Sequence, residues 1–208
     1  MAQQNKVQWV YEAKDNDELE ARYDEWASEY DADVIDDFGY FGPQRGADIF
    51  ERFVPTSARV LDAGAGTGLV GAVLKEKGYG TIVAMDLSTG MLEEARKTGA
   101  YQGFDRMVRG ETLGYETASF DSTISIGTFS LGHAPASGLD ELVRVTKPGG
   151  HIVYSVRADV YVENGFQAKH EELVAAGKIT IVDGTEPEHL LPKGEPELEH
   201  RFWVLRVN

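Results

Sequence analysis

Residues 58–71, Ala-Arg-Val-Leu-Asp-Ala-Gly-Ala-Gly-Thr-Gly-Leu-Val-Gly, decide the fold class of this 208-residue chain. An apolar strand runs into an acid, Asp62, and three glycines follow at alternate positions, Gly64, Gly66 and Gly68. Glycine lets the backbone turn sharply and lets a ligand come close, because no Cβ stands in the way. A helical pattern begins directly afterwards, and a helix N-terminus offers unpaired N–H groups to a polar or anionic ligand. The stretch therefore predicts a nucleotide-type pocket between a strand and a helix.

The same glycines leave two cofactor classes open. The dinucleotide fingerprint G-x-G-x-x-G is present at Gly66, Gly68 and Gly71, and Asp86 follows about 20 residues on, where an NAD site has its ribose acid. In a dinucleotide site, however, the glycines start directly at the strand end, whereas here Asp62 comes first. An acid at that place would repel a pyrophosphate. The register D-x-G-x-G-x-G favours a cofactor without a pyrophosphate, and an NAD-dependent oxidoreductase stays as an alternative.

The whole unit resembles the first motif of class I S-adenosylmethionine-dependent methyltransferases, and later segments follow in that family's order. Residues 81–86 form a second predicted strand that ends in an acid, and Ser88 and Met91 fit the family's D-x-S-x-x-M-L continuation. The resemblance also covers the Gly-Asp position of the family, the fourth strand, and the turn into the fifth strand, at residues 109–112, 120–127 and 147–154. It extends over roughly residues 20–157.

The resemblance implies S-adenosyl-L-methionine as the cofactor. In the family the glycine loop approaches the methionine part, and the strand-end acid, here Asp62, organises the loop and the cofactor's amino group. Asp86 would take the ribose hydroxyls, and Glu111 stands where the family has an aspartate near the adenine amine. The predicted cofactor-binding residues are Asp62, Gly64, Ala65, Gly66, Gly68, Asp86, Leu87, Met91, Glu111, Thr112, Gly127, Tyr23 and Tyr30.

Strands and helices alternate along the chain, which predicts a parallel sheet with helices on both faces. The predicted strands are residues 58–63, 81–86, 107–110, 120–127 and 150–157, and the predicted helices are 15–31, 44–53, 68–77, 89–98, 137–146 and 163–176. Two further strands, 178–183 and 200–207, have no helix between them and fit the antiparallel hairpin that closes the family's sheet. The predicted fold class is α/β: a three-layer, Rossmann-like, seven-stranded, mostly parallel sheet with an antiparallel C-terminal strand and an N-terminal helical lid. We expect residues 1–54 to form a helical cap within the same domain as the methyltransferase domain at 55–208.

An aromatic helix face precedes the glycine loop. Tyr23, Trp26 and Tyr30 are spaced by three and four residues, so they share one face of the predicted helix. They could dock the helix on the core, or they could form a lid that lines the site. The pattern Y-D-x-W-A-x-x-Y-D resembles small-molecule methyltransferases, including the group named for the Williams–Beuren syndrome chromosome region. Tyr40, just past Gly39, is a further candidate for closing the pocket.

Candidate chemistry lies just after the fourth predicted strand, in the loop of His133, which borders the reacting methyl group in the family. A neutral imidazole there could act as a general base near pH 7, or it could shape the loop by hydrogen bonding. The predicted catalytic residues are His133 and Tyr30, and the predicted substrate-site residues are Tyr40, Phe129 and His133. The other histidines show no metal-ligand spacing, so no metal site is predicted.

Composition narrows the partners. The chain carries 35 acidic against 20 basic residues, a net charge of −15, which disfavours nucleic acid as a partner because such binders usually show a basic patch. We interpret the acids, twelve of them within residues 12–37, as solvated surface or, alternatively, as a field that attracts a cationic or amine substrate. There is no cysteine, which excludes disulfides and cysteine nucleophiles. No apolar run approaches the roughly 20 residues of a membrane span, and no signal-peptide core opens the chain, so we expect a cytoplasmic protein without a membrane partner.

These observations lead to methyl transfer by in-line displacement from S-adenosylmethionine to a small-molecule acceptor. A protein methyltransferase and a non-catalytic cofactor-binding subunit are the alternatives. The fourth strand lacks the N/D-P-P-Y/F motif of methyltransferases that act on amino groups of adenine, cytosine or glutamine. The sequence leaves the acceptor atom and the oligomeric state open.

Overall fold

A central sheet organises the protein in a computed structural model that describes residues 6–108, 110–130 and 132–208. Within these residues it has seven strands in the order β3-β2-β1-β4-β5-β7-β6. They are β1 (Arg59–Ala63), β2 (Thr81–Asp86), β3 (Gly103–Arg106), β4 (Ser122–Phe129), β5 (His151–Arg157), β6 (Ile179–Gly184) and β7 (His200–Val207). Strands β1 to β5 pair in parallel, and β7 is antiparallel to its neighbours β5 and β6. The predicted fold class is confirmed.

Helices cover both faces of the sheet. The described helices are α1 (Lys6–Tyr11), α2 (Asn16–Asp31), a π-helical segment (Ala32–Asp37), α3 (Gly42–Phe50), α4 (Leu69–Glu76), α5 (Thr89–Lys97), α6 (Gly138–Val145), α7 (Ala158–Glu163) and α8 (Phe166–Ala175). The core cluster on one face joins α3, α4 and α5, and the other joins α6, α7 and α8. Adjacent residues of β1 show why both faces are apolar: Val60 belongs to the first cluster and Leu61 to the second.

Two predicted elements need correction. The strand predicted at 107–110 lies earlier, as β3, because Gln102 N already donates to Ile82 O and brings the chain alongside β2. Arg109 of that predicted strand lies outside the described residues. The helix predicted at 163–176 is divided into α7 and α8, because Gly165 has φ +80°, a left-handed conformation that ends a helix.

An N-terminal cap, residues 6–37, lies over the carboxyl ends of the strands. Its apolar residues form a cluster of their own with Leu87, which follows β2: Val7, Val10, Leu19, Trp26 and Val34. Helix α2 starts where the Asp15 carboxylate accepts from Glu18 N, an N-cap bond. Helix α3, which the predicted cap of residues 1–54 also includes, packs on the sheet face, and the boundary at residue 54 stays a prediction. Residues 1–5 of the predicted cap lie outside the described residues.

Strand β4 is irregular where it reaches the cap. Its pairing with β5 joins Ser125 to Tyr154 and then Phe129 to Val156, so the strand bulges in between. Gly127 lies in the bulge with φ +74°, and its N–H donates to the Ser155 hydroxyl at 2.8 Å instead of to a strand carbonyl. The bulge therefore turns backbone toward the space beneath the cap.

No helix within the described ranges combines the length and the apolar character that crossing a membrane requires.

Candidate active site

The glycine loop is held by the end of the neighbouring strand. The Met85 carbonyl accepts from both Gly64 N and Ala65 N, at 2.7 and 3.0 Å. The next N–H, of Gly66, donates to Asp86 Oδ2 at 2.9 Å. A Cβ added at Gly66 would meet no atom within 4 Å, so this residue faces open space. The loop is thus fixed from behind and open in front.

Asp86 joins the loop to the start of the next helix. While Oδ2 accepts from Gly66 N, Oδ1 accepts from Ser88 N at 3.0 Å, and Ser88 in turn caps α5 by accepting from Met91 N. Asp86 is 9% exposed and lines the pocket. Because each carboxylate oxygen has a further lone pair, Asp86 can also accept hydroxyl donors from a bound ligand.

Asp62 supports the loop from below and does not line the pocket. Its Oδ2 accepts from the buried Tyr101 hydroxyl at 2.7 Å, and that hydroxyl accepts from Gly71 N at 3.1 Å. Burial, and then the neighbouring Asp62 charge, raise the pKa of Tyr101 well above its ordinary value. Tyr101 also explains Gly71, since a Cβ there would lie 2.2 Å from the Tyr101 ring. Sequence reasoning missed Tyr101, for which Gly71 was the available signal.

A pocket of about 650 Å³, including its part open to solvent, lies between the loop and the cap. Eleven of the predicted site residues line it together: Tyr23, Tyr30, Tyr40, Gly64, Ala65, Gly66, Asp86, Leu87, Met91, Gly127 and His133. Leu19, Pro43, Thr67, Leu69, Val70, Ile126 and Thr128 complete the wall without having been predicted.

Other predicted residues lie elsewhere. Gly68, like Asp62, lies away from the pocket. A Cβ added at Gly68 would lie 3.1 Å from both Ala95 Cα and Tyr101 Cε2, so this residue faces the core. Glu111 lines a neighbouring recess that shares Leu87 and His133 with the pocket.

Thr112 is exposed and lines neither space. Phe129, predicted at the substrate, is a core residue: it is 1% exposed and packs edge-on against Tyr154 and Phe166.

Three tyrosine hydroxyls face the pocket. Burial raises the pKa of Tyr30 and raises that of Tyr40 well above its ordinary value, so both are protonated at neutral pH. Neither hydroxyl makes a hydrogen bond to any residue that the structure describes. Tyr30, predicted as catalytic, is therefore a hydrogen-bond donor here and a poor proton acceptor. Tyr23 differs, because its hydroxyl lies 2.7 Å from His133 Nε2.

His133 is held on both ring nitrogens. Besides the Tyr23 contact, Nδ1 lies 3.1 Å from the Ser130 hydroxyl, and the Tyr11 ring packs edge-on at 5.4 Å between centroids. A neutral imidazole donates with one nitrogen and accepts with the other, so in the tautomer that carries its proton on Nδ1, the Nε2 atom can accept a proton from the Tyr23 hydroxyl. In this arrangement a proton reaches Nε2 through the Tyr23 hydroxyl.

Acidic side chains of α2 fasten the cap to the rim of the pocket. Asp24 Oδ1 accepts from the Ser88 hydroxyl at 2.5 Å and from Gly90 N at 2.8 Å, and Asp31 Oδ1 accepts from the Thr67 hydroxyl at 2.5 Å. These acids belong to the run that composition alone assigned to solvated surface. Helix α2 is therefore tied both to the glycine loop and to the start of α5, and it covers the space between them.

These features fit S-adenosylmethionine better than a dinucleotide. Asp86 can take ribose hydroxyls, and the open face of Gly66 lets a ligand approach the loop. The tyrosine rings suit a sulfonium cation, which aromatic faces attract. No Lys or Arg is among the wall residues in the described part of the chain, so a pyrophosphate would meet no positive side chain.

Comparisons with known proteins agree with the fold. The family described as a methyltransferase domain matches residues 61–154. Human Methyltransferase-like protein 27 is 35% identical over 162 residues, which cover 74% of this chain and 65% of that protein. Demethylmenaquinone methyltransferase of Clavibacter sepedonicus is 44% identical over 98 residues, covering 46% of this chain and 39% of that protein. The chain thus spans less than two thirds of the length of these relatives.

Solved structures are similar in fold. The [4+2]-cyclase SpnF superposes with a TM-score of 0.72 at 16% identity, covering 94% of this chain and 97% of that one. A TehB-like SAM-dependent methyltransferase from Corynebacterium glutamicum gives 0.66 at 19% identity, covering 90% and 99%. At these identities the likeness concerns the fold alone.

Proposed function

We propose that the chain is a class I S-adenosylmethionine-dependent methyltransferase and that it methylates a small molecule by in-line displacement. One observation carries the proposal. The glycine loop, Asp86 and three cap-side tyrosines converge on one pocket at the carboxyl edge of the sheet. Ligands bind at this edge in open α/β sheets.

Each group has a task in such a reaction. When bound, S-adenosylmethionine supplies an activated methyl group, and its transfer leaves S-adenosylhomocysteine and any proton that the acceptor atom carried. Asp86 and the loop would hold the cofactor, and Tyr30 would orient groups at the junction with the acceptor. The Tyr23–His133 pair offers the route by which a proton leaves the acceptor.

A small acceptor is favoured over a protein tail by the cap. The hydrogen bonds of Asp24 and Asp31 hold α2 across the pocket, so an extended peptide would have to displace it. The name of the relative from Clavibacter, demethylmenaquinone methyltransferase, also denotes a small-molecule acceptor. The likeness to the Williams–Beuren group and the cytoplasmic location stay predictions.

Calorimetric titration with S-adenosylhomocysteine tests the cofactor part. We expect binding that Asp86→Ala weakens by about tenfold or more, because that variant loses the loop bond and the ribose acceptor. Asp17→Ala is the matched control, since Asp17 is an exposed acid of α2 with no hydrogen bond to any described residue. No binding to the wild-type protein at high micromolar ligand would refute the proposal, and binding of NAD(H) instead would restore the alternative.

Transfer itself is tested with cofactor labelled in the methyl group. We expect label from a cell extract to enter the small-molecule fraction. Label recovered in protein would favour the protein methyltransferase, and cofactor binding without any transfer would favour a non-catalytic subunit.

A further inference from the structure

Another cavity, called here the inner chamber, continues from the pocket toward the base of the cap. Its volume is about 450 Å³, including the part open to solvent. It is lined by Val7, Val10, Tyr11, Tyr23, Trp26, Tyr30, Val34, Tyr40, Gly127, Leu191 and His200. We propose that the inner chamber binds the methyl acceptor and that the acceptor is an uncharged, mostly apolar molecule. This inference rests on the proposed function.

The place of the chamber supports the first half of the proposal. The pocket and the chamber share four wall residues, Tyr23, Tyr30, Tyr40 and Gly127. Gly127 keeps this junction open, since a Cβ there would lie 2.6 Å from the Tyr40 hydroxyl oxygen. A molecule in the chamber and a cofactor in the pocket would therefore meet at the three tyrosines. An in-line displacement requires such a meeting of donor and acceptor.

The walls of the chamber are apolar or neutral. Three valines and Leu191 contribute only hydrocarbon, and the Trp26 indole N–H is already donated to Asp33 at 2.7 Å. His200 is 5% exposed, and burial lowers its pKa to about 4, so it is neutral at pH 7. Burial likewise raises the pKa of Tyr11. Within the described residues, no group that is ionised at neutral pH lines the chamber.

A buried positive charge beside the chamber wall is compensated outside the chamber. The Arg157 guanidinium lies 5.2 Å from the centre of the Tyr11 ring and is ion-paired with Asp159. Arg157 is absent from the chamber wall and its charge is balanced, so it offers no free partner for an anionic acceptor. Two carboxylates near the chamber are also engaged, which disfavours an ammonium acceptor. Asp33, beside Trp26, pairs with Lys6, and Asp86, in the adjoining pocket, accepts from Gly66 N and Ser88 N.

The chamber walls favour an uncharged acceptor and still offer it hydrogen bonds. Placing an ion in an apolar site without a counter-ion costs far more than placing a neutral ring there. The free hydroxyls of Tyr30 and Tyr40 at the junction can still bind one polar atom of the acceptor, such as a phenol oxygen. This charge selection argues against the cationic substrate that the acidic composition left open.

The test uses the full chain saturated with S-adenosylhomocysteine and three probes of one ring: p-cresol, benzylamine and benzoate. Trp26 lies in the chamber wall, so tryptophan fluorescence reports binding there, and calorimetry measures the affinity independently. At pH 7 we expect p-cresol to bind about tenfold or more tightly than either ion. Equal or tighter binding of an ion, or no binding of p-cresol to the loaded protein, would overturn the proposal. If S-adenosylhomocysteine itself does not bind, the proposed function fails first.

Two filling variants locate the probe. Val10→Phe and Leu191→Phe each place a larger side chain in the chamber wall, and the two residues lie on separate segments. Each substitution should weaken p-cresol binding by about tenfold, while the affinity for S-adenosylhomocysteine changes by less than about threefold. Val162→Phe is the control, because Val162 is 64% exposed on α7 and outside the chamber. If one filling variant does not fold, the other decides. Unchanged p-cresol affinity in a folded filling variant would overturn the proposal.

Discussion

Replacing Asp24 by alanine should loosen the cap and weaken cofactor binding together. Asp24 lies on α2, and its Oδ1 accepts from the Ser88 hydroxyl at 2.5 Å and from Gly90 N at 2.8 Å. The donors are the N-cap residue and the first turn of α5, where a negative charge also interacts favourably with the helix dipole. The backbones are close at this point, since a Cβ on Gly90 would lie 3.0 Å from Asp24 Cα. The substitution therefore removes the polar link at the tightest part of the α2–α5 contact.

The size of the effect follows from these contacts. A hydrogen bond to a charged group contributes about 1.5–3 kcal/mol, and the helix-terminal charge about 0.3–1 kcal/mol. Because Asp24 is exposed, hydrogen bonds to water replace part of this stabilisation in the variant. Alanine also has the higher helix propensity, by up to about 0.7 kcal/mol. We expect a loss of about 1–2 kcal/mol in the free energy of unfolding. Because the cap covers the pocket, the same loss disfavours the closed cap, and cofactor affinity falls by up to about 5- to 30-fold.

The neighbouring residue provides the control. Glu25→Ala removes the same charge from the same helix, and Glu25 is exposed with no hydrogen bond to any described residue. Urea denaturation gives the free energy of unfolding, and calorimetry with S-adenosylhomocysteine gives the affinity. If Asp24→Ala matches Glu25→Ala in both measurements, the assignment of Asp24 as a link of the cap is wrong.

Three further predictions concern other parts of the site and the core. Tyr101→Phe removes the hydroxyl between Asp62 and Gly71 and should lower the free energy of unfolding by about 1–3 kcal/mol; an unchanged Tm would contradict this. Burial lowers the pKa of His170 from 6.5 to about 4. Between these pH values the unfolded chain binds a proton that the folded chain does not, so the free energy of unfolding falls as the pH drops from 6.5 toward 4, by up to a few kcal/mol. Urea denaturation across that range should show a shallower fall in His170→Gln, and parallel curves would refute the assignment. Tyr30→Phe should lower kcat/KM about tenfold with the free energy of unfolding nearly unchanged, and unchanged kinetics would leave Tyr30 a packing role only.

The sequence predicts the site best where function depends on backbone position. The loop glycines and Asp86 are recognisable because a Cβ-free turn and a strand-end acid have few other uses at that spacing. Their partners were hidden, because side-chain contacts between distant segments leave no local pattern. Tyr101, which holds Asp62 from 39 positions along the chain, is the example.

Phe129 shows how an irregular strand defeats a sequence prediction. The predicted fourth strand ends at residue 127, and Phe129 is predicted at the substrate. The strand instead resumes after its bulge and pairs Phe129 with Val156, and this returns the ring to the core. The interpretation of the α2 acids as solvated surface is incomplete for a related reason. Composition does not reveal which of these carboxylates accept a hydrogen bond from a hydroxyl or a backbone N–H.

Because of the bulge in β4, the backbone at the site can differ in length while the core packing on either side stays the same. Between its pairs with β5 the strand advances four residues, from Ser125 to Phe129, while β5 advances two. Side chains alternate faces with a period of two, so a segment lengthened or shortened by two more residues would leave Phe129 in the core. Length variation in steps of two at Gly127 could thus reshape the acceptor side during evolution without repacking the sheet.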